Sequence, residues 1–341
     1  MKYTRVQIDA IGYELPNHRV TSENLERRLK PLYDALGLQA GQLEAFTGIR
    51  ERRFWEPEFR LSEGAARAGR KALSSAGVEA RDLGALIYAG VCRENFEPAT
   101  ACAVAEALGA AGDCSIYDVS NACLGVLNGI VDVANRIELG QIRAGLVVAC
   151  ESSRNIVEIA IAGMLESRGI ERFKYSLATL TGGSGAAAVL LTDGSWGGRR
   201  RKLLGGVSWA APEHHRLCRW GVENGREAMR TDSVAVMKNG IELGRRTWDA
   251  FLAALDWPSN AISKTICHQV GSGHQKEILS TLGLSPANDF TTYEHLGNIG
   301  TVSLPMTAAI AEERGFLNAG DRVALLGIGS GLNCMMLGVQ W

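Results

Sequence analysis

The segment Tyr117-Asp118-Val119-Ser120-Asn121-Ala122-Cys123-Leu124-Gly125 runs from an apolar stretch through a polar turn into a helical pattern. It predicts a strand at residues 115–119 and a helix, rich in Val, Ile and Ala, at residues 124–139. Cys123 lies in the turn between them. The N–H groups and the positive dipole end at the start of a helix favour a thiolate over a thiol. The segment therefore predicts an α/β unit with a candidate nucleophile where strand meets helix.

Similar units occur in both halves of the chain. Strands predicted at residues 86–89, 115–119 and 144–149 alternate with helices at 98–108 and 124–139, an order that indicates an α/β fold. Residue 293 lies 176 positions after residue 117, and residues 323 and 264 lie 178 positions after residues 145 and 86. Chance similarity of generic units is the alternative to duplication. We predict an N-terminal half at residues 1–195 and a C-terminal half at residues 196–341, with equivalent turns facing each other.

The duplication predicts one site built from Cys123, His268 and Asn298. His268 ends an apolar strand, and Asn298 lies in the turn equivalent to that of Cys123. Cys123 would accept an acyl group, and His268 and Asn298 would donate hydrogen bonds to a carbonyl oxygen as it gains charge. The N–H groups of Cys123 and Ser330 could form an oxyanion hole. Taken singly, each side chain has a structural alternative: a buried thiol, a satisfied histidine and an asparagine that tolerates a turn.

Other histidines and glycines are candidate neighbours of this site. His295, three residues before Asn298, could line it, whereas His274 is interpreted as a residue at the start of a helix. His214 and His215 are predicted to be exposed. Gly182-Gly183-Ser184-Gly185 lacks the Lys-Ser/Thr of a phosphate loop and is predicted to allow close packing near the site.

Composition excludes several classes of protein. Apolar residues make up 46% of the 341-residue chain, and 36 Lys and Arg balance 37 Asp and Glu, which does not suggest a nucleic-acid or membrane-surface protein. The basic run at residues 199–202 is interpreted as a solvated loop, or alternatively as a landing site for a phosphate-bearing carrier. The chain starts without the apolar stretch of a signal peptide and contains no membrane span. Its eight cysteines lack metal-ligand spacing, so we expect no metal site and a cytoplasmic location.

The order Cys123, His268, Asn298 resembles the thiolase superfamily and its ketoacyl-ACP synthase III branch. The segment Thr47-Gly48-Ile49-Arg50-Glu51-Arg52-Arg53 and the late Gly329-Ser330-Gly331 carry the same resemblance, which covers essentially the whole chain. It implies a duplicated, five-layered αβαβα fold, a homodimer and Claisen condensation of acyl thioesters.

Two segments resemble OleA-type enzymes, the long-chain thiolases of bacterial olefin biosynthesis, more than ketoacyl-ACP synthase III itself. They are His268-Gln269-Val270-Gly271-Ser272 and Glu294-His295-Leu296-Gly297-Asn298-Ile299-Gly300. The resemblance implies condensation of two acyl-CoA thioesters to a β-keto acid, with acyl-CoA as substrate and no cofactor. Downstream pathway enzymes or an acyl carrier protein are possible partners.

Glu97, in Cys92-Arg93-Glu94-Asn95-Phe96-Glu97-Pro98, decides between two reactions. In ketoacyl-ACP synthase III the residue before this proline is usually apolar and projects into the partner subunit, whereas OleA-like enzymes have Glu. A malonyl donor forms its carbanion by losing CO2, but a plain acyl thioester needs a base to remove its α-proton. The resemblance implies that Glu97 from the other subunit is that base. A favourable charge at a helix start is the structural alternative, and Glu94 is a weaker competitor.

Other interpretations stay open. Decarboxylative condensation with a malonyl thioester and acyl transfer to another nucleophile are alternative reactions, and a non-catalytic thiolase-fold binding subunit is the alternative of another class. Arg219 and the arginines of residues 47–53 (Arg50, Arg52 and Arg53) are candidates for binding substrate phosphates, or are surface charges. Guesses at an acyl tunnel fall on the bulky apolar residues Met164, Phe173, Trp209 and Trp248.

Overall fold

The computed structural model describes residues 1–197, 201–223 and 225–341. The strands in these ranges are β1 (Gln7–Glu14), β2 (His18–Thr21), β3 (Glu51–Phe54), β4 (Ala85–Tyr88), β5 (Ser115–Asp118), β6 (Ala144–Glu151), β7 (Gly185–Thr192), β8 (Arg201–Ala210), β9 (Cys218–Glu223), β10 (Arg226–Thr231), β11 (Lys264–Cys267), β12 (Arg322–Gly329) and β13 (Asn333–Gln340). The α-helices are α1 (Ser22–Arg28), α2 (Lys30–Leu36), α3 (Gln42–Thr47), α4 (Leu61–Ala76), α5 (Thr100–Leu108), α6 (Gly125–Glu138), α7 (Arg154–Ser167), α8 (Ile170–Ser176), α9 (Ser233–Leu255), α10 (Ser272–Leu282), α11 (Tyr293–Leu296) and α12 (Ser303–Glu313). Across these ranges, no helix has the length and apolar character needed to cross a membrane.

Nine of the strands form one sheet with a near-symmetric order. The order is β11-β12-β13-β8-β1-β7-β6-β4-β5, with β1 and β8 antiparallel at its centre. Moving outward, β7, β6 and β4 on one side correspond to β13, β12 and β11 on the other. The pairs β4–β6 and β11–β12 are both parallel. This order supports two related halves, and the boundary between residues 195 and 196 stays a prediction.

One correspondence that the sequence analysis proposed is wrong. Tyr293 does not lie in a strand as Tyr117 does, because it opens the short helix α11. The position equivalent to β5 is occupied by Asp289, which forms an isolated bridge to Thr265 of β11. The side chain of Gln269 accepts hydrogen bonds from the N–H groups of Thr292 and Tyr293 at 2.8 and 3.1 Å, so these groups are not available to a strand ladder.

The helices lie in three layers around the strands. Buried residues of α6 and α12 share one core cluster with inward-facing residues from both halves of the sheet. On the outer faces, α4 and α5 pack in a second cluster with β4 and β6, and α9 and α10 pack in a third with β12 and β13. The layers therefore follow the order α, β, α, β, α, which confirms the predicted fold class.

The central position of α6 follows from its sequence. Val126, Ile130, Val133 and Ile137 recur at helical spacing and are all buried. Strand β6 is buried at all eight positions because helices cover both faces of its sheet. The segments that follow β5, β11 and β12 carry Cys123, His268 and Ser330 of the candidate site.

The basic run at residues 199–202 is not one solvated loop. Arg199 and Arg200 lie outside the described residues. Arg201 begins β8, is 4% exposed and forms an ion pair with Glu312 at 2.7 Å. The register of β8 against β1 turns this side chain inward, whereas Lys202 is exposed.

Candidate active site

Cys123 lies in the predicted strand-to-helix turn. Strand β5 ends at Asp118 and α6 begins at Gly125, so Cys123 is two residues before the helix. The preceding residue, Ala122, has a φ of 46° in the left-handed region. A Cβ added to Gly329 would lie 3.3 Å from the backbone nitrogen of Cys123, so the end of β12 passes directly beside the cysteine.

The expectation of a thiolate is wrong for the free protein. Burial, with smaller contributions from Cys218 and Glu151, raises the pKa of Cys123 to about 12. The helix start offers little compensation because its N–H groups already have acceptors. Those of Leu124 and Gly125 bond to turn carbonyls at 2.9 and 3.3 Å, and that of Val126 donates to the Thr301 hydroxyl at 2.6 Å. Cys123 is therefore a protonated thiol before substrate binds.

His268 follows the last residue of β11 and is held as a neutral imidazole. Its backbone N–H donates to the carbonyl of Leu326 in β12 at 2.9 Å. Burial, and secondarily the neighbouring His274, lowers the pKa of His268 to about 4. The buried Nδ1 has no hydrogen-bond partner among the described residues. A neutral imidazole can donate one hydrogen bond, which suits an electrophilic role rather than a cationic one.

Asn298 is fixed by its backbone and by one side-chain oxygen. Its N–H donates to the carbonyl of Thr181, and its own carbonyl accepts from Gly183, both at 2.9 Å. Its Oδ1 accepts from the N–H of Gly300 at 3.1 Å, which leaves the amide NH2 to serve as a donor. The close packing predicted for Gly182–Gly185 is confirmed, because a Cβ on Gly183 would lie 2.1 Å from the carbonyl oxygen of Leu296.

The turns of Cys123 and Asn298 contact each other. The bond from Val126 to Thr301 joins the start of α6 to the turn that follows Asn298. The loop of Ser330 is tied to the cysteine turn, since the side chain of Asn333 donates to Asn121 at 3.2 Å and to the Ser330 carbonyl at 3.4 Å. Strands β11 and β12 are parallel, so His268 and Gly329 end at the same edge.

Glu97 and Glu94 have opposite environments. Glu94 accepts hydrogen bonds from the N–H and hydroxyl of Ser62 at 2.8 and 2.7 Å. Although burial opposes it, these bonds and the nearby Arg60 lower the pKa of Glu94. Glu97 is exposed, and its carboxylate has no hydrogen-bond or ion-pair partner in the part of the chain that the structure describes. Glu94 is therefore held as a helix-start acceptor, and Glu97 is the free carboxylate of this loop.

Comparison with known proteins identifies the family. An acyl-CoA:acyl-CoA alkyltransferase of Shewanella oneidensis is 54% identical to this chain, and one of Xanthomonas campestris is 35% identical, each over 100% of both sequences. The chain belongs to the acyl-CoA:acyl-CoA alkyltransferase family. A family model described as 3-oxoacyl-[acyl-carrier-protein] synthase III C terminal also matches residues 252–341.

Solved structures of this family have the same fold. Xanthomonas campestris OleA, as a cysteine-to-alanine variant, matches with a TM-score of 0.95 and 35% identity over 100% of this chain and 98% of that chain. A second structure of that OleA, with bound lauric acid and lauroyl-CoA, matches with a TM-score of 0.94 over 99% of this chain and 100% of that chain. The present chain is thus a condensing enzyme of the thiolase superfamily.

Three residues proposed to bind substrate lie among surface charges. Arg50 approaches Glu44 and Glu294 at 3.7 and 3.5 Å, and His295 approaches Glu294 at 3.8 Å. Arg219 pairs with Glu223 at 3.0 Å. These three side chains are each about half exposed, and their roles in this alkyltransferase family member stay predictions.

Arg52 and the four residues suggested for an acyl tunnel lie in separate packing environments. Arg52 is fully buried and donates to the carbonyl of Leu180 at 3.1 Å, so it is not available to a substrate phosphate. The four residues suggested for an acyl tunnel belong to different core clusters or are exposed, and their role in a tunnel stays a prediction. Met164 and Phe173 pack in the cluster of α1, α2, α3 and α7, Trp248 packs on α9 in another cluster, and Trp209 is 38% exposed. A bulky apolar side chain is not by itself a sign of a tunnel.

Glu151 is a candidate functional residue that was not predicted from the sequence. This residue ends the fully buried strand β6 and is 4% exposed. Burial raises the pKa of Glu151, although hydrogen bonds from the N–H groups of Val91, Cys92 and Thr301 oppose the rise. A carboxylate at the end of an otherwise apolar strand was the signal that could have found it.

We expect replacement of His268 by Gln to flatten the dependence of stability on pH. The pKa of about 4 in the folded protein lies below the ordinary value near 6.5, so the unfolded chain binds this proton more readily between those values. The contribution of neutral His268 to the free energy of unfolding is fully present above pH 6.5 and is lost as the pH falls toward 4. From pH 7 to 5, the wild type should lose about 1–2 kcal/mol more than the variant.

Urea unfolding at both pH values and one protein concentration measures this difference. His274, whose pKa is also lowered by burial, is present in both proteins and serves as an internal control. Equal losses of unfolding free energy in the two proteins would contradict a neutral, buried His268.

Proposed function

We propose that this enzyme condenses two long-chain acyl-CoA thioesters without decarboxylation and releases a β-keto acid. One observation carries the proposal: the carboxylate of Glu97 is exposed and has no partner among the described residues, in a chain that is 54% identical over its full length to an acyl-CoA:acyl-CoA alkyltransferase. That carboxylate supplies the base that a non-decarboxylative reaction requires.

In the first half-reaction, Cys123 accepts an acyl group. Its sulfur attacks the carbonyl carbon of the first acyl-CoA, the bond from that carbon to the CoA sulfur breaks, and the thiol proton leaves on CoA. The N–H groups of Cys123 and Ser330 stabilise the negative oxygen of the tetrahedral intermediate. The end of β12 supports this pair of donors, because a Cβ added to Gly329 would lie 3.3 Å from the Cys123 nitrogen.

In the second half-reaction, the α-carbon of another acyl-CoA becomes the nucleophile. Glu97 of the partner subunit removes the α-proton, and His268 and the free NH2 of Asn298 donate to the enolate oxygen. The α-carbon attacks the acyl-Cys123 carbonyl and the bond to Sγ breaks, which returns the thiol after protonation. Water then cleaves the CoA thioester of the β-ketoacyl product to give the acid.

A homodimer would bring Glu97 to this chemistry. Phe96 is fully exposed beside Glu97, as expected for an apolar residue that inserts into another subunit. Strand β5 ends the sheet, so its outer edge has no partner strand among the described residues. Both features support assembly through the face that carries the loop of Glu97.

The residue types replaced in solved variants of Xanthomonas campestris OleA support the assignment. They include a cysteine, a glutamate and a histidine. The β-keto acid would serve olefin biosynthesis as the substrate for later steps. All eight cysteines are free, which supports the expected cytoplasmic location.

Incubation with lauroyl-CoA as the only thioester tests the reaction. We expect release of CoA together with the symmetrical ketone that forms when the β-keto acid loses CO2. Quantification of free thiol and mass spectrometry of the lipid extract measure the two products. A ketoacyl product that appears only after malonyl-CoA is added would instead establish the decarboxylative reaction, and absence of any acyl adduct on Cys123 would favour a binding subunit.

A further inference from the structure

The carboxylate of Glu151 is buried between the turn that follows Asn298 and the segment that carries Glu97 toward the partner subunit. Its Oε1 accepts from the N–H of Val91 at 2.9 Å, and its Oε2 accepts from the N–H of Cys92 at 3.2 Å. These two residues begin the segment that leads from β4 to Glu97. On another side, a Cβ on Gly300 would lie 3.3 Å from the carboxyl carbon of Glu151, so the turn that follows Asn298 lies against this group.

Gly300 connects Glu151 to the donor amide of Asn298. The N–H of Gly300 bonds to Asn298 Oδ1, which sets the direction of the amide NH2. Gly300 has a φ of 59°, a conformation that glycine adopts without strain. Among the described residues no Lys or Arg pairs with Glu151, and its hydrogen bonds come from backbone N–H groups and from the Cys92 thiol. A carboxylate is acceptor-only, so it suits such a set of donors and an amide does not.

We propose that Glu151 is a positioning residue for the second half-reaction, holding the loop of Glu97 and the turn of Asn298 in register. The inference rests on the proposed function for its kinetic consequence. Glu151 does not touch the reacting atoms, so it acts through Asn298 and the loop. Removing its acceptor character should impair condensation more than acylation of Cys123, because acylation uses neither Glu97 nor the Asn298 amide.

Glu151→Gln is the informative variant, because it keeps the shape and turns one oxygen into a donor that faces a backbone N–H. Glu26→Gln is the matched control. Glu26 is 5% exposed and accepts from the N–H groups of Gly41 and Leu43 at 2.8 and 2.7 Å, but it lies in α1 among the residues of a different core cluster. Each variant replaces one oxygen of a buried carboxylate that accepts hydrogen bonds from two backbone N–H groups.

Kinetics with lauroyl-CoA separate positioning from general destabilisation. We expect Glu151→Gln to lower kcat for condensation about 10–100-fold with little change in KM, while single-turnover acylation of Cys123 stays within about threefold of the wild type. Glu151→Asp should recover part of the loss. The control should leave the ratio of condensation to acylation unchanged. An unchanged ratio in Glu151→Gln, or an equal loss of both steps, would overturn the inference.

Hydrogen–deuterium exchange tests the same inference without any reference to activity. Peptides that cover residues 89–99 and 297–302 should exchange faster in Glu151→Gln than in the wild type and in Glu26→Gln. Unchanged protection in both peptides would overturn the positioning role even if condensation occurs. If the wild type does not condense lauroyl-CoA but both peptides still exchange faster in Glu151→Gln, the positioning role is retained and the proposed function is rejected.

Discussion

Replacing Glu97 by Ala is expected to lower the rate of condensation about 10³-fold while Cys123 still takes up an acyl group, because general base catalysis by a placed side chain contributes about 10²–10⁴-fold. The free carboxylate is exposed and has no partner in the described part of its own chain, so its removal should not disturb the fold. Intact-protein mass spectrometry after incubation with lauroyl-CoA should show the acyl adduct, and ketone formation should be absent. Glu79→Ala, which removes another exposed carboxylate, is the control.

A mixed dimer identifies the subunit that donates Glu97. Subunits with Glu97→Ala are mixed with subunits that carry Cys123→Ala, and each variant alone should be inactive. In the mixed dimer, the intact Cys123 faces the intact Glu97 of its partner, so random mixing should restore about one quarter of wild-type activity. No restored activity, in a mixture shown to contain the mixed dimer, would place Glu97 in its own subunit's site. Normal turnover by Glu97→Ala alone would remove it from the mechanism.

Replacing Cys123 by Ala is expected to abolish both half-reactions, with a loss of about 10⁴-fold or more, since a covalent nucleophile has no substitute in its site. Neither release of CoA from lauroyl-CoA nor an acyl adduct should be detected. Thiol quantification and intact-protein mass spectrometry measure these outcomes.

Cys102→Ala is the control for this experiment. Cys102 is a free, exposed thiol on α5 and should be dispensable. An adduct that persists in Cys123→Ala but disappears in Cys102→Ala would contradict the assignment of the nucleophile. Because burial raises the pKa of Cys123 to about 12, alkylation of the substrate-free wild type at pH 7 should also be slower at Cys123 than at Cys102.

Much of the fold was predictable because its signals are local. Helical spacing of apolar residues marked α6, and continuous apolar runs marked β4, β6 and β12. The repeat was indicated by the similar sequence separations, 176 and 178 positions, between corresponding residues of the two halves. The exception at Tyr293 arose because Gln269, distant in sequence, binds the N–H groups that a strand would have used.

The site was only partly predictable, because the state of its groups depends on residues far along the chain. The turn of Cys123 was located correctly, but its thiol was expected to ionise. Val126 donates its N–H to Thr301, which is 175 positions away, and this bond removes a group that would have stabilised a thiolate. In the same way, Ser62 donates hydrogen bonds to Glu94 and not to Glu97. The positions of the two glutamates in one loop do not reveal this difference.

The sequence by itself determined the α/β pattern, the turn of Cys123, and the strand end and turn that carry His268 and Asn298. These features depend on residue spacing and on the conformations that short segments prefer. Only the tertiary structure decided that Cys123 is a protonated thiol, that His268 is neutral, that Glu97 is the free carboxylate, and that Glu151 lies between the loop and the Asn298 turn. Burial and the choice of hydrogen-bond partner set these properties, and both arise when segments distant in sequence pack together.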